Sequence, residues 1–458
     1  MGGDISAQYI GTSTADITYK ISLSLYRDVN GIALDDSEII NIYDNGATNM
    51  FLNTVVLYKD VALSTSLIPL FPYGVEIAVY TGIITFPSQS NLWQVVWSNC
   101  CRNAAIVNAT NPGSDGMVLH TDIDNWITSY PLISSPYCQA LPVAYFPINT
   151  PITYNPLPYD PDGDSLSWAL TTSLENYAAA TPMVFNAITG FTSPSSAPSG
   201  PFSMNPVTGE ITWTPNALGN YIQAFTINKY KFGQIIGTVI RDMQYVIVAD
   251  TVVDSISLVP VSPYNTNASP LYQYVYYTPG QQLNFQINGV CGNPSKTLDL
   301  NSFGSIYSMT PAATFSHTGT NSTISGTLNW TPPSGFSKDV TIVFRLTGGM
   351  FSKDFTLLLR KNPNPNNVTN VNESPDLVTV SPNPMHNNIN ISLNLSEDIN
   401  GDLGLYSIIG QRVATLYSGA LSKGAHNFSK ELNVAQGLYY LIVKNNGKII
   451  NTQQVVAE

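Results

Sequence analysis

Residues 209–215 read GEITWTP, and residues 326–332 read GTLNWTP. The pair aligns Trp213 with Trp330 and Pro215 with Pro332. Each copy leads into a β-rich run, Met243–Val248 in the first and Phe355–Leu359 in the second. Upstream, NTPITYNPLPYDPDGDSL (149–166) lines up with YTPGQQLNFQINGVCGNPSKTL (277–298). One supersecondary unit is therefore used twice. Residues 142–250 and 251–361 read as two related sandwiches, the first with an extra Ser/Pro/Ala-rich loop near 190–202.

Outward from this repeat the same signal recurs. Ile17–Leu25 (ITYKISLSL), Val75–Tyr80, Trp93–Trp97, Tyr221–Ile227 and Val340–Leu346 alternate with period two, and Gly, Pro, Asn or Asp bounds them. That is the pattern of short antiparallel strands. The best helical stretch is a short one at Ser173–Ala180. The expected fold class is all-β, as tandem antiparallel β-sandwich domains of Ig-like or cadherin-like type. Residues 1–141 make an N-terminal sandwich. The Asn- and Pro-rich stretch KNPNPNNVTNVNESPDL (361–377) lies in a linker set at 362–380, and residues 381–458 form a last small unit.

Composition bounds the function. With 458 residues, length alone suggests about three domains. Charged residues are 10% of the chain, against roughly 25% in an ordinary soluble protein. Lys and Arg number 18 against 30 Asp and Glu, a net charge of −12. A nucleic-acid partner is excluded on that balance, and a coiled coil by the shortage of Glu, Lys and Leu. No segment is apolar enough for a transmembrane helix, since Val55–Phe86 is broken by Lys59, Asp60, Pro69, Pro72 and Glu76. The start, Met1-Gly2-Gly3-Asp4, has no basic or apolar leader region, so it reads as a cytosolic start or as a mature form. Of the four cysteines, adjacent Cys100 and Cys101 are expected not to pair with each other. A bridge from one of them to Cys138 and four small buried thiols, Cys291 included, are both open.

Candidate chemistry is sparse. Asp160-Pro161-Asp162-Gly163-Asp164 is the one dense carboxylate cluster. Three alternate Asp offer hard oxygen ligands to a single Ca2+, with Gly163 allowing the sharp turn. The second copy places Gly292, Pro294 and Lys296 opposite them, so the module folds without metal there. His120, Asp122 and Asp124 share a strand face that reads as solvated, and Asp35-Asp36-Ser37-Glu38 reads as a solvated loop. Tyr272, Tyr274 and Tyr276 share another face, suited to sugars, to a second subunit or to core and edge packing. G-x-S-x-G, H-E-x-x-H, P-loop and dinucleotide signatures do not occur, so no enzymatic activity is expected.

The last unit opens with Pro382-Asn383-Pro384. It continues through Gly410-Gln411-Arg412-Val413, Leu421 to Gly424, Gly437 with Tyr439, and the turn Gly447-Lys448. In order and spacing this resembles the type A C-terminal sorting domain of the type IX secretion system. The resemblance implies recognition by the type IX translocon and its shuttle. It also implies a place outside the cell or on the outer face of a Bacteroidota-type outer membrane. GGDI (2–5), LSLYRDVNG (23–31) and WSNCCRN (97–103) resemble landmarks of large surface proteins from that group, with Val29 where a Cys is common. DPDGDSL (160–166) with ITWTP (211–215) resembles cadherin-like or Ig-like modules, whose loops bind calcium. The expected role is a non-enzymatic adhesin or structural subunit, with surface glycans or further copies of itself in a filament as partners. The alternative is a carbohydrate-binding or carbohydrate-active protein on the same export route.

Overall fold

The computed structural model describes residues 2–12, 17–46, 50–67, 74–87, 89–125, 134–140, 145–178, 183–194, 202–249, 256–319, 321–349, 351–363, 377–395, 397–407 and 411–457. Apart from one 3-10 turn at Ser305–Tyr307, every described element is a strand, as the period-two runs require. The chain divides into two compact units, Met1–Asn362 and Pro363–Glu458.

The first unit begins with β1 (Gly2–Thr12), β2 (Ile17–Asp28), β3 (Ser37–Asp44), β4 (Met50–Lys59), β5 (Thr65–Leu67), β6 (Val75–Phe86), β7 (Trp93–Cys100) and β8 (Gly116–Ile123). It continues with β9 (Tyr137–Cys138), β10 (Tyr145–Pro147), β11 (Ile152–Tyr154), β12 (Pro158–Tyr159), β13 (Ser165–Thr171) and β14 (Leu174–Ala178). Next come β15 (Val184–Ala187), β16 (Phe202–Met204), β17 (Ile211–Trp213), β18 (Gly219–Lys231) and β19 (Gln234–Val248).

Hydrogen bonding follows the order β1-β2-β6-β4-β3-β7-β8-β19, and β19 returns to β1, so these strands close a ring. Its interior follows from alternation. In β2, Ile17, Tyr19, Ile21 and Leu23 point inward and pack with Tyr80, Phe86, Trp93 and Trp97. β19 makes the closure because it is 15 residues long, against 11 for the matching strand of the second copy. Gly237–Val239 pairs with β8, Arg241–Met243 with β1, and Val246–Val248 runs parallel to β10. One hydrogen-bonded sheet therefore runs across the division drawn at 141/142.

β18, β13 and β10 extend this sheet beyond β19, and the small sheet β11-β17-β16 shares a core with them around Trp168, Trp213, Phe225 and Tyr245. The second copy holds β20 (Ile256–Pro260), β21 (Asn265–Ala268), β22 (Leu271–Tyr277), β23 (Leu283–Cys291) and β24 (Leu298–Phe303). It ends with β25 (Thr314–Thr318), β26 (Thr323–Trp330), β27 (Val340–Gly348) and β28 (Phe351–Lys361). Sheets β20-β23-β26-β25 and β21-β22-β28-β27-β24 enclose a core around Trp330, Phe285 and Phe344.

The repeat read from GEITWTP and GTLNWTP holds at the level of single hydrogen bonds. The Asn149 N–H donates to the carbonyl of Pro215 at 2.6 Å, and the Gly280 N–H to that of Pro332 at 2.8 Å. Both donors are left-handed, with φ of 58° and 77°. In each copy the final long strand also takes a parallel partner, β10 against β19 and β22 against β28.

Ser173–Ala180 is not a helix. Leu174–Ala178 forms β14, paired with β15, and residues 179–180 lie outside the described residues. The stretch is short, and a neighbouring strand supplies the hydrogen bonds that one or two helical turns leave open.

The second unit contains β29 (Leu377–Ser381), β30 (Asn388–Leu395), β31 (Ile399–Ser407), β32 (Arg412–Leu421), β33 (Gly424–Glu431), β34 (Gly437–Asn445) and β35 (Lys448–Ala457). Sheets β29-β30-β33 and β32-β31-β34-β35 share one core. β30 alternates without a break, burying Ile389, Ile391, Leu393 and Leu395. The end of the stretch read as linker is thus strand, because Val378 and Val380 continue the alternation.

Trp330→Ala is expected to cost the first unit about 3–5 kcal/mol, the range for emptying a large aromatic site. Denaturant unfolding checks this. Tyr276→Ala, at a position 42% exposed, is expected to move the midpoint little.

Candidate functional site

The acidic cluster sits on the turn from β12 to β13. Gly163, at φ 70°, makes the turn, and its N–H donates to the Asp160 carbonyl at 3.2 Å. The three carboxylates converge as expected, with ligand oxygens within 4.8 Å of one another. A cation already lies at their focus. The fully buried Lys229 ammonium is 2.7 Å from Asp160 Oδ1 and 3.2 Å from Asp164 Oδ2, and it also pairs with Asp162 Oδ2. It donates further to the Ser134 carbonyl at 3.0 Å. Lys231 reaches Asp164 at 3.4 Å, and Lys338 donates to the Asp162 carbonyl at 3.3 Å.

Burial pushes the Asp160 carboxyl above its ordinary range, against the pull of Lys229. Burial also works to lower the pKa of Lys229, but Asp160 and Asp162 outweigh it, and the value stands above that of an ordinary lysine. A Ca2+ ion needs six to eight oxygens around one point. Here that point holds an ammonium, so the donor set does not fit a divalent ion while Lys229 is in place. Sequence reading missed Lys229, although the signal was present. From Phe225 to Lys229 (FTINK) the odd positions of β18 are buried and the even ones half-exposed, and Lys229 falls on the buried face.

Other buried charges mark the joints. Arg345 grips Asp354 through Nε and Nη2, both at 2.7 Å. Asp354 also accepts the Asn155 N–H at 2.8 Å, and the guanidinium lies 5.4 Å from the Tyr154 ring. This cluster ties the first copy of the repeat to the second. Arg241 pairs with Asp4 at 3.2 Å, and Arg102 with Asp242 at 2.6 Å. These tie the ring to β19.

The remaining sequence candidates resolve as follows. His120 contacts Asp122 at 3.0 Å, yet it is buried, with its ring stacked 4.2 Å from Phe185, so this is not a solvated face. Asp35 and Asp36 are exposed. Glu38 is not in a loop: β3 turns it inward with Ile40 and Ile42, where it accepts a hydrogen bond from Trp97 Nε1 at 2.9 Å. Burial raises its pKa. Cys100 and Cys101 are joined to each other by a disulfide, contrary to expectation. Cys138 is a free thiol on β9, opposite Pro158, whereas Cys100 ends β7 opposite Gly116. Burial lifts the Cys138 pKa to about 12. Cys291 is free and buried.

Tyr272, Tyr274 and Tyr276 do share a face, with successive rings 6.0 and 5.3 Å apart. Arg360 lies 5.7 Å over Tyr274 and binds Asp339 at 3.0 Å.

In the second unit the motif residues hold structural positions. Asn383, between Pro382 and Pro384, clamps the last strand. Its side chain donates to the Gln454 carbonyl at 2.9 Å and accepts the Val456 N–H at 2.8 Å. Arg412 binds Asp402, with Nη2 to Oδ1 at 2.5 Å, and covers Tyr406, while its neighbour Val413 is exposed. Gly424 opens β33 at φ 118°. Gly437 opens β34, and the buried Tyr439 donates to the Ala435 carbonyl at 2.8 Å. Asn446 and Gly447, at φ 49° and 81°, make the hairpin turn before Lys448. Gly410 lies outside the described residues.

Residues 379–458 match a family model described as a secretion system C-terminal sorting domain. That tail implies export by the type IX route to the cell surface or the extracellular space. The remaining residues fall outside this match, and no curated protein matches the chain by sequence. Among solved structures, an endo-fucoidan hydrolase, MfFcnA4 of glycoside hydrolase family 107, is 12% identical at a TM-score of 0.17, over 70% of this chain and 44% of that one. Domains 4–9 of the surface layer protein SbsC are 13% identical at 0.18, over 64% and 47%. The I67–I69 fragment of the titin I-band is 10% identical at 0.16, over 70% and 97%. The chain spans less than half of the first two. Overlaps this slight carry no argument about what the chain does. No helix among the described residues is long and apolar enough to cross a membrane.

Lys229→Met leaves three carboxylates converging without a buried cation. It is expected to destabilise the first unit by about 3–5 kcal/mol, read by denaturant unfolding, while added Ca2+ leaves the wild-type melting temperature unchanged. The raised pKa of Lys229 fixes the sign of the alkaline response. Its stabilisation is complete below the unfolded lysine value of about 10.4 and is lost as pH rises through the higher folded value. Lys229→Met is expected to remove that alkaline dependence.

Proposed function

We propose that the chain is a non-enzymatic surface or extracellular protein of a Bacteroidota-type bacterium, working as an adhesin or structural subunit. The observation that carries this reading is the sorting tail, a folded unit of its own. Its partners on the way out are the type IX translocon and shuttle. The cargo is the first unit, whose cadherin-like or Ig-like sandwiches are tied together by buried ion pairs. Such a body serves as a spacer or building block, and its function is to hold surfaces at a distance or to join further copies. Calcium has no part in this reading, because Lys229 supplies the cation that the Asp160, Asp162 and Asp164 cluster needs.

A second reading has one observation in its favour. Tyr272, Tyr274 and Tyr276, flanked by Arg360 and Asp339, form an aromatic strip of the kind that stacks on sugars. Carbohydrate binding at this strip predicts that Tyr276→Ala lowers retention on polysaccharide gels without changing the melting temperature.

The export reading is tested by fractionating the native host, with mass spectrometry of the mature C-terminus. The first unit should appear outside the outer membrane, with the mature C-terminus showing whether the tail is removed there, and deletion of residues 379–458 should retain it inside. Intact wild-type protein recovered from the cytosol would contradict the reading.

A further inference from the structure

One end of the β-ring holds a cavity of about 440 Å3. The strands place it. Gly2 opens β1 opposite Tyr26, near the end of β2. Asn99, near the end of β7, lies opposite Met117 at the start of β8, and Glu38 is the second residue of β3. All of these line the cavity, so it is the mouth of the ring. Residues 31–35 and the disulfide-linked Cys100 and Cys101 complete its wall. Its volume is that of an ordinary small-molecule site, and the mouth of a closed sheet is a common place for one.

In this mouth Glu38 is 8% exposed and stands without a cation. Its Oε2 accepts the Trp97 Nε1–H at 2.9 Å, and its Oε1 has no protein donor among the described residues. The buried carboxylates Asp4, Asp160, Asp242 and Asp354 each have an arginine or lysine partner. Glu38 does not, although two arginines line the same cavity, because both are bonded elsewhere. Arg27 binds Glu76 at 2.5 Å and the carbonyls of Asp28 and Gly31 at 2.9 and 3.2 Å. Arg102 binds Asp242 at 2.6 Å and the carbonyls of Gly116 and Leu174 at 2.8 and 2.9 Å. Asp28 and Asp35 add two more carboxylates to the wall. A carboxylate buried without a cation is costly. Burial, with Asp35 nearby, accordingly holds the Glu38 carboxyl above its ordinary range, against the pull of the Trp97 bond.

We propose that the mouth of the ring binds a small organic ammonium, a primary amine carried on an apolar body, with Glu38 as its counter-ion. The ammonium supplies the cation that Glu38 lacks, and it donates to the carboxylate oxygen that Trp97 leaves free. Leu25, Tyr26, Leu34 and Met117 give the body an apolar wall. A bare divalent ion does not suit the place, since it needs six or more oxygens around one point, and here apolar side chains surround one buried carboxylate. An organic acid is repelled by Asp28, Asp35 and Glu38. The site is separate from the acidic turn and from the Tyr272, Tyr274 and Tyr276 strip.

The test uses purified full-length chain, with phenethylammonium and its uncharged counterpart 2-phenylethanol as probes. Binding is read from methionine methyl signals in an NMR titration, because Met117 lines the mouth and Met309 lines a different cavity. Phenethylammonium is expected to shift the Met117 methyl saturably, to leave Met309 in place, and to bind about tenfold or more tightly than 2-phenylethanol. Glu38→Gln keeps an acceptor for Trp97 and removes the charge. It is expected to weaken phenethylammonium by about tenfold or more, while 2-phenylethanol affinity and the melting temperature hold. A purely structural Glu38 would instead lower the melting temperature and treat the two probes alike. The proposal is overturned by a Met117 signal that does not saturate, by equal affinities of the two probes for wild type, or by undiminished phenethylammonium binding in Glu38→Gln. The comparison of probes on wild type needs no variant to fold. None of these outcomes bears on the export reading, which fractionation decides.

Discussion

The Lys229 ammonium, fully buried among Asp160, Asp162 and Asp164, is the interaction on which the turn between β12 and β13 depends. Three carboxylates this close repel one another strongly out of water, so the turn needs a cation in order to exist. A lysine from β18 provides it, and the same contact pins the turn to the main sheet. The pattern is general in the first unit. The chain has few charges, and several of its cations are buried at joints: Arg241 and Arg102 where β19 meets the ring, and Arg345 where one sandwich meets the next. Buried ion pairs add little net stability over an apolar core, but removing one partner is severe. They specify how the pieces meet.

That specification matters for the structural role proposed above. A string of sandwiches on free linkers bends at every joint. Here β19 belongs to the ring and to the first repeat at once, and Asp354 receives hydrogen bonds from both repeats. The sorting tail is arranged differently. It is a compact unit of its own, and Asn383 closes it by holding the strand that ends the chain. Address and cargo are built as separate bodies.

Much of this was legible in the sequence, for physical reasons. Strands announce themselves by period-two alternation, and β2 and β30 follow it residue by residue. The Trp-Thr-Pro motif marks matching positions in the two copies, each with a backbone hydrogen bond to its proline carbonyl. The motif order of the tail was readable because turns fix glycines and asparagines in place. Long-range pairing was not legible. Nothing local to Gln234–Val248 says that it closes a ring with residues more than a hundred positions away. Lys229 lies far in sequence from the carboxylates it neutralises. Glu38 and His120 looked solvated because their acidic neighbours suggested it, whereas strand alternation and the ring of Phe185 bury them.

Calorimetry of the full chain tests the central claim most directly, namely that a shared sheet and buried ion pairs make residues 1–362 one mechanical body. The account predicts two transitions, one for the first unit melting as a whole and one for the sorting tail. Separate transitions for the ring and for each repeat sandwich would contradict it.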